Sequence, residues 1–215
     1  MRSRIIAFDL DGTVLDSSEA ICNSVAETFQ EFSLQEIPKT VIIESIGRPI
    51  SELFSRYNLK KSDLNLALKF FRTHLVEVGS KNTSIYPGIS ETITYLRSQG
   101  IFTAIATNKN TLIANTIIDK LNLNKYFDFV CGQDMAFPKP SNSMLKVIES
   151  KLNAKLIALV GDTEDDIISA QKHKIISIAI ASGSHSFERL SKSNPDFLIK
   201  SATELKSILE RELKL

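Results

Sequence analysis

Ile5-Ile6-Ala7-Phe8-Asp9-Leu10-Asp11-Gly12-Thr13 is the stretch on which the fold turns. Four apolar residues lead straight into two carboxylates spaced by one residue. A short unbroken apolar run reads as a strand buried on both faces, the type found inside a parallel sheet. Asp9 and Asp11 then fall at its carboxyl end, where open α/β sheets gather their ligands. Side chains two apart on an extended segment point the same way, so both acids face one crevice. Gly12 permits a sharp bend directly after them. Neighbouring carboxylates raise each other's pKa, and a nearby cation relieves that repulsion.

The same apolar grammar returns in the second half of the chain. Strands are expected over 101–107, 127–131, 156–160 and 175–181, alternating with helices over 90–98, 111–121, 141–152 and 165–172. A last helix opens on a capping box, Ser201 with Glu204, and buries Leu205, Ile208, Leu209 and Leu213. Between Ser17 and Lys81 no strand pattern occurs. Ile21, Val25, Thr28, Phe29 and Phe32 stand at helical spacing, after N-cap side chains at Asp16–Ser18. Two short helices over 40–46 and 51–57 flank a Gly47-Arg48-Pro49 turn. Ser62 is placed to cap a longer helix carrying Leu64, Leu68, Phe71 and Leu75. Tyr86-Pro87-Gly88 breaks this helical insertion and returns the chain to alternation.

The expected fold class is therefore α/β: a Rossmann-like parallel sheet with helices on both faces, interrupted by a small helical insertion. Residues 1–16 and 85–215 form the sheet core and 17–84 the insertion. Right-handed crossovers bring every strand's carboxyl end to one edge. Asp9, Asp11, Thr107, Lys139 and Asp162 converge there.

Composition sets the outer bounds. The chain has 215 residues, 43% hydrophobic and 24% charged, ordinary for a soluble globular protein. A net charge of +1 implies no pull toward nucleic acid or an anionic membrane surface. No apolar run approaches a membrane span, and Asp9 comes too early for a secretory signal. Two distant cysteines, Cys22 and Cys131, read as reduced thiols, so a cytoplasmic location is expected. Oligomeric state is left open.

The converging residues suit phosphoryl transfer. Asp9 is the candidate nucleophile, able to form an aspartyl-phosphate and divide one hard step into two easier ones. Asp11 is the candidate general acid and base, protonating the leaving oxygen and then deprotonating water. Asp162, in Gly161-Asp162-Thr163-Glu164-Asp165-Asp166, is the candidate metal ligand, with Asp166 one turn behind it. Hard oxygen donors of this kind suit Mg²⁺. Glu164 and Asp165 are read as first-turn helix charges. Lys139, held between two prolines, is the candidate phosphate anchor and offsets charge at the nucleophile. Thr107 reads either as a strand-end cap or as a hydroxyl donor to a phosphate oxygen, assisted by the Asn108 backbone N–H. Arg48 reads either as a plain surface arginine or as a guanidinium reaching an anionic substrate. His74, His173 and His185 show no ligand spacing and are read as surface or half-buried.

This constellation resembles the haloacid dehalogenase superfamily over nearly the whole chain. Asp9-Leu10-Asp11-Gly12-Thr13 is similar to its first motif, Thr107-Asn108-Lys109 to its second, Lys139-Pro140 to its third, and Gly161-Asp162-Thr163 with Asp166 to its fourth. The resemblance implies Asp9 as nucleophile and Mg²⁺ ligand, and Asp11 as acid/base binding the metal through its backbone carbonyl. It implies Asp162 as a further ligand, with Asp166 behind it. It also implies that 17–84 is a mobile cap. Gly47-Arg48-Pro49 points to the phosphoglycolate-phosphatase-like subgroup. The chain departs from the pattern at His173-Lys174 and at Ser141-Asn142-Ser143. The expected activity is Mg²⁺-dependent hydrolysis of a small phosphorylated metabolite. The alternatives are a phosphomutase of the same fold (β-phosphoglucomutase-like) and, from another class, a phosphoaccepting receiver domain.

Overall fold

The structure is a computed structural model and describes residues 4–212. Strand β1 (Arg4–Phe8) is the opening apolar run. Its alternation splits cleanly between two cores. Ile6 and Phe8 join one, while Ile5 and Ala7 join the other. A strand buried on both faces needs no polar residue until it ends, which is why its sequence is continuous rather than alternating.

Three strands follow in the second half: β4 (Phe102–Ala106), β5 (Phe129–Cys131) and β6 (Lys155–Gly161). Then come β7 (Ile176–Ile180) and β8 (Phe197–Ile199). With β1 these form, among the described residues, a six-stranded parallel sheet in the order β5-β4-β1-β6-β7-β8. The chain builds leftward from β1 through β4 and β5, then crosses to β6 and builds rightward. β1 is therefore the switch point, and its carboxyl end opens into the crevice between diverging loops.

Helices α5 (Ile89–Ser98) and α6 (Thr111–Lys120) cover the face carrying Ile6 and Phe8, joined there by α10 (Leu205–Glu212). Helix α7 (Ser143–Leu152) packs Met144, Leu145 and Ile148 on the opposite face, and α8 (Glu164–His173) adds Ala170 there. The short α9 (Phe187–Ser191) buries Leu190 beside α8. The expected Leu213 contact lies outside the described residues.

The helical segment holds α1 (Ser18–Glu31), α2 (Lys39–Ser45), α3 (Ile50–Arg56) and α4 (Leu64–Glu77). Phe54 sits at its centre, 5.8 Å from the rings of both Phe29 and Phe71, edge-on to the latter. The segment is entered through β2 (Leu15–Asp16) and left through β3 (Ser84–Ile85), which pair antiparallel.

Two capping expectations are corrected. Ser62 does not cap α4; Asp63 occupies the N-cap position, and the Ser62 hydroxyl donates to the Asp63 carboxylate instead. Ser17 stands at the N-cap of α1 but makes no side-chain cap, because its hydroxyl donates to Asp11 Oδ1 at 2.6 Å. A charged acceptor outcompetes a backbone N–H for that hydroxyl.

Candidate active site

Asp9 follows β1 directly, and its backbone N–H extends the ladder to Val160 of β6 at 2.8 Å. The chain then turns within five residues, with Leu15 N–H donating to Leu10 C=O at 2.8 Å. Gly12 takes φ +85°, and a Cβ there would overlap the Asp162 carboxylate. Gly183, in the loop after β7, packs as closely on the same carboxylate. The absence of two side chains thus makes room for one acid.

Asp162 is fully buried and held at both oxygens. Thr13 donates its hydroxyl to Oδ1 at 2.7 Å, and Ser184 donates its backbone N–H to Oδ2 at 2.7 Å. Asp166 lies in the first turn of α8, where a capping box with Thr163 closes the helix start. Its Oδ2 accepts from the Thr163 hydroxyl at 2.6 Å and backbone at 3.0 Å. Its Oδ1 meets Lys139 Nζ at 2.6 Å, and the same ammonium lies 2.8 Å from Asp9 Oδ1. Lys139 is thus buried between two acids.

Carboxylate oxygens of Asp9, Asp162 and Asp166 lie within 4.8 Å of one another. Burial drives the Asp9 carboxyl well above its ordinary pKa; Lys139 opposes this, while Asp166 and Asp162 add to it. Asp162 is pushed up to about 6, first by burial and then by Asp166. The charge on Lys139 is reinforced by Asp166 and Asp9 against its own burial. One lysine among three crowded acids leaves an excess of negative charge. A divalent cation with hard oxygen donors relieves that excess, so the donor set fits Mg²⁺.

The haloacid dehalogenase-like hydrolase family matches residues 6–180 of this chain. The chain belongs to that family. A phosphoglycolate phosphatase of Aquifex aeolicus is 30% identical over 215 residues, covering 98% of both chains. The pyrophosphatase PpaX of Oceanobacillus iheyensis is 25% identical over 212 residues, covering 97% of this chain and 98% of its own. A crystal structure from Clostridium acetobutylicum, described as a "predicted phosphatase", superposes with a TM-score of 0.86 at 27% identity and full coverage of both chains.

In this hydrolase the remaining motif residues occupy the same sheet edge. Thr107 is buried just past β4, and its hydroxyl accepts the Lys109 backbone N–H at 3.1 Å. The Asn108 side chain bridges two segments: its Oδ1 accepts from the Lys139 N–H at 2.8 Å, and its Nδ2 donates to Gly47 C=O at 2.7 Å. Asn108 thus ties the Lys139 loop to the Gly47 turn through its side-chain amide. The Gly47 turn presses on Thr163, where an added Cβ would come within 2.6 Å. A cleft above Asp9 and Asp11 is lined by Arg48 and by Arg72 of α4, with apolar walls from Ile46, Phe71 and Ile113.

Several features escaped the sequence reading. His185 is more buried than the surface or half-buried position read for it, at 5% exposed, and its Nδ1 accepts the Glu164 N–H at 3.3 Å. Glu164 is more than a first-turn charge, since Arg189 of α9 pairs with it at 2.7 Å. Arg72 gave no signal beyond its place on a helix whose other face is apolar. Lys109, quoted with its motif but given no task, ion-pairs with Asp11 at 2.8 Å.

Proposed function

We propose that this hydrolase is a Mg²⁺-dependent phosphatase that cleaves a small phosphorylated metabolite through an aspartyl-phosphate on Asp9. The observation that carries the reading is the meeting of Asp9, Lys139 and Asp162 in one buried cluster at the switch point of the sheet. Asp9 and Asp162 would hold the ion through their carboxylates and Asp11 through its backbone carbonyl. Asp166 meets Lys139 through Oδ1 and Thr163 through Oδ2, and its task is to orient them. Bound there, Mg²⁺ supplies positive charge to the nucleophile and the phosphoryl oxygens.

The chain's own residues account for the steps. An Asp9 carboxylate oxygen attacks phosphorus, the P–O bond to the leaving group breaks, and Asp11 gives its proton to the departing oxygen. Water then attacks the same phosphorus and surrenders a proton to Asp11, and the acyl-phosphate bond breaks to restore Asp9 and release inorganic phosphate. Lys139 and Thr107 steady the phosphoryl oxygens throughout. Residues 17–84 serve as a cap on the core of 1–16 and 85–215, closing through the Gly47–Asn108 contact. Arg48 and Arg72 then face an anionic group on the substrate.

The test is phosphate release from a panel including phosphoglycolate and pyrophosphate, with Mg²⁺ and with chelator. Activity is expected only with the metal, and none in Asp9→Asn. Turnover by Asp9→Asn would defeat the assignment. Arg48→Ala is expected to raise KM more than it lowers kcat.

A further inference from the structure

Asp9 and Asp11 each have their own lysine. Lys139 is committed to Asp9 and Asp166. Lys109 Nζ lies 2.9 Å from Asp11 Oδ1 and 2.8 Å from Oδ2, so one ammonium spans the whole carboxylate. Both side chains of this second pair are about nine-tenths buried.

The lysine stands on fixed backbone. Its N–H donates to the Thr107 hydroxyl, and its C=O accepts from Gln133 N–H at 3.1 Å. Gly132 packs against that carbonyl so closely that a Cβ would lie 2.5 Å from it. On one side, Asn108 is tied to Lys139. On the other, Asn110 caps α6 by accepting from Leu112 and Ile113. A long flexible side chain loses more entropy on ordering when its base also moves; here the base is held by three neighbours.

Asp11 is gripped from two parts of the molecule. Ser17, at the start of the helical segment, donates to Oδ1 at 2.6 Å. Lys109 reaches it from the edge of the sheet. We infer that Lys109 is a positioning residue for Asp11, tying the acid/base to the β4 edge so that it keeps its place over the reacting phosphorus when Ser17 moves with the helical segment. The inference rests on the phosphatase reading for the role of Asp11. Lys109 itself transfers no proton and forms no bond to phosphorus.

The experiment uses the full chain with Mg²⁺ and 4-nitrophenyl phosphate, whose leaving group departs without a proton. Only the second, water-consuming step then needs Asp11 in place. Wild type, Lys109→Met, Lys109→Arg and Asp9→Asn are compared for kcat, KM and the steady-state fraction of acid-quenched phosphoprotein, read by mass spectrometry. Lys109→Met is expected to lower kcat by on the order of 10²-fold. KM should change little, and the phosphorylated fraction should rise above wild type. Lys109→Arg, which restores a cation to a carboxylate, should recover part of kcat, and this also separates the effect from misfolding. An unchanged kcat overturns the inference. So does a raised KM with kcat intact, which would make Lys109 a substrate contact. So does a fall in kcat with no gain in phosphoprotein. Activity in Asp9→Asn would instead overturn the phosphatase reading, whatever Lys109 does.

Discussion

Replacing Lys139 with methionine keeps the length of the side chain and removes its charge. The lysine side chain is 1% exposed, with carboxylate oxygens at 2.8 Å and 2.6 Å. At an effective dielectric of about 20, each contact carries roughly 6 kcal/mol of Coulomb attraction. The desolvation of three buried charges offsets most of that sum. What remains when one partner is deleted from a buried ion pair is about 3–5 kcal/mol. For a chain of this length each kcal/mol moves the melting midpoint by about 2–4 °C, so a fall of about 10 °C is expected. The assay is thermal unfolding followed by circular dichroism at pH 8 with chelator present. At pH 5 the loss should shrink, because the uncompensated acids take up protons. Adding Asp166→Asn to Lys139→Met should recover part of the loss, since one of the stranded charges is then gone. A midpoint within about 2 °C of wild type at pH 8 would refute the reasoning. The lysine would then be neutral in energy despite its geometry.

Three further outcomes concern Asp162, Gly12 and Phe54. Asp162 titrates near 6 when folded against an ordinary value of 3.8, so the folded state holds a proton that the unfolded chain has released. Its stabilising contribution is complete below pH 3.8 and is lost as pH rises through about 6. In chelator the wild-type midpoint should fall across that window relative to Asp162→Asn, and Mg²⁺ should remove the difference. Gly12→Ala forces a side chain to φ +85° and into the Asp162 carboxylate. It is expected to cost about 1–2 kcal/mol in the backbone alone. The Mg²⁺-induced rise in melting temperature should disappear; a rise equal to that of wild type would contradict the overlap. Phe54→Ala empties the fully buried centre of the Phe29–Phe54–Phe71 cluster. Urea unfolding should show about 3–5 kcal/mol lost, and a change under about 1 kcal/mol would mean that the helices collapse into the space.

The sheet was legible because β1, β4, β6 and β7 are buried on both faces and carry apolar runs, interrupted only by Thr103 in β4 and Ser177 in β7. β8 was not, since Phe197–Ile199 is three residues long and follows a proline, too brief to establish a period. β2 and β3, two residues each, lie below any periodic signal. Gathering of Asp9, Lys139 and Asp162 followed from topology, because strand ends at a switch point share one crevice. Side-chain commitments did not follow. Ser17 reads as a helix cap by type and position, yet the nearby Asp11 carboxylate claims its hydroxyl. Lys109 pairs with an acid 98 residues away, a distance along the chain that no local pattern spans. His185 read as surface or half-buried, and its loop, tied to Asp162 through Ser184 and to Glu164 through the imidazole, buries it further.

The β2–β3 ribbon has a consequence for engineering. Paired strands run about 5 Å apart, so the helical segment departs and returns at neighbouring points, beside the turn that carries Asp11. A donor segment whose ends lie equally close is expected to fit at Asp16 and Ser84 with the parallel strands kept in register. A donor segment would have to supply a hydroxyl in place of Ser17 for Asp11 and a carbonyl in place of Gly47 for Asn108.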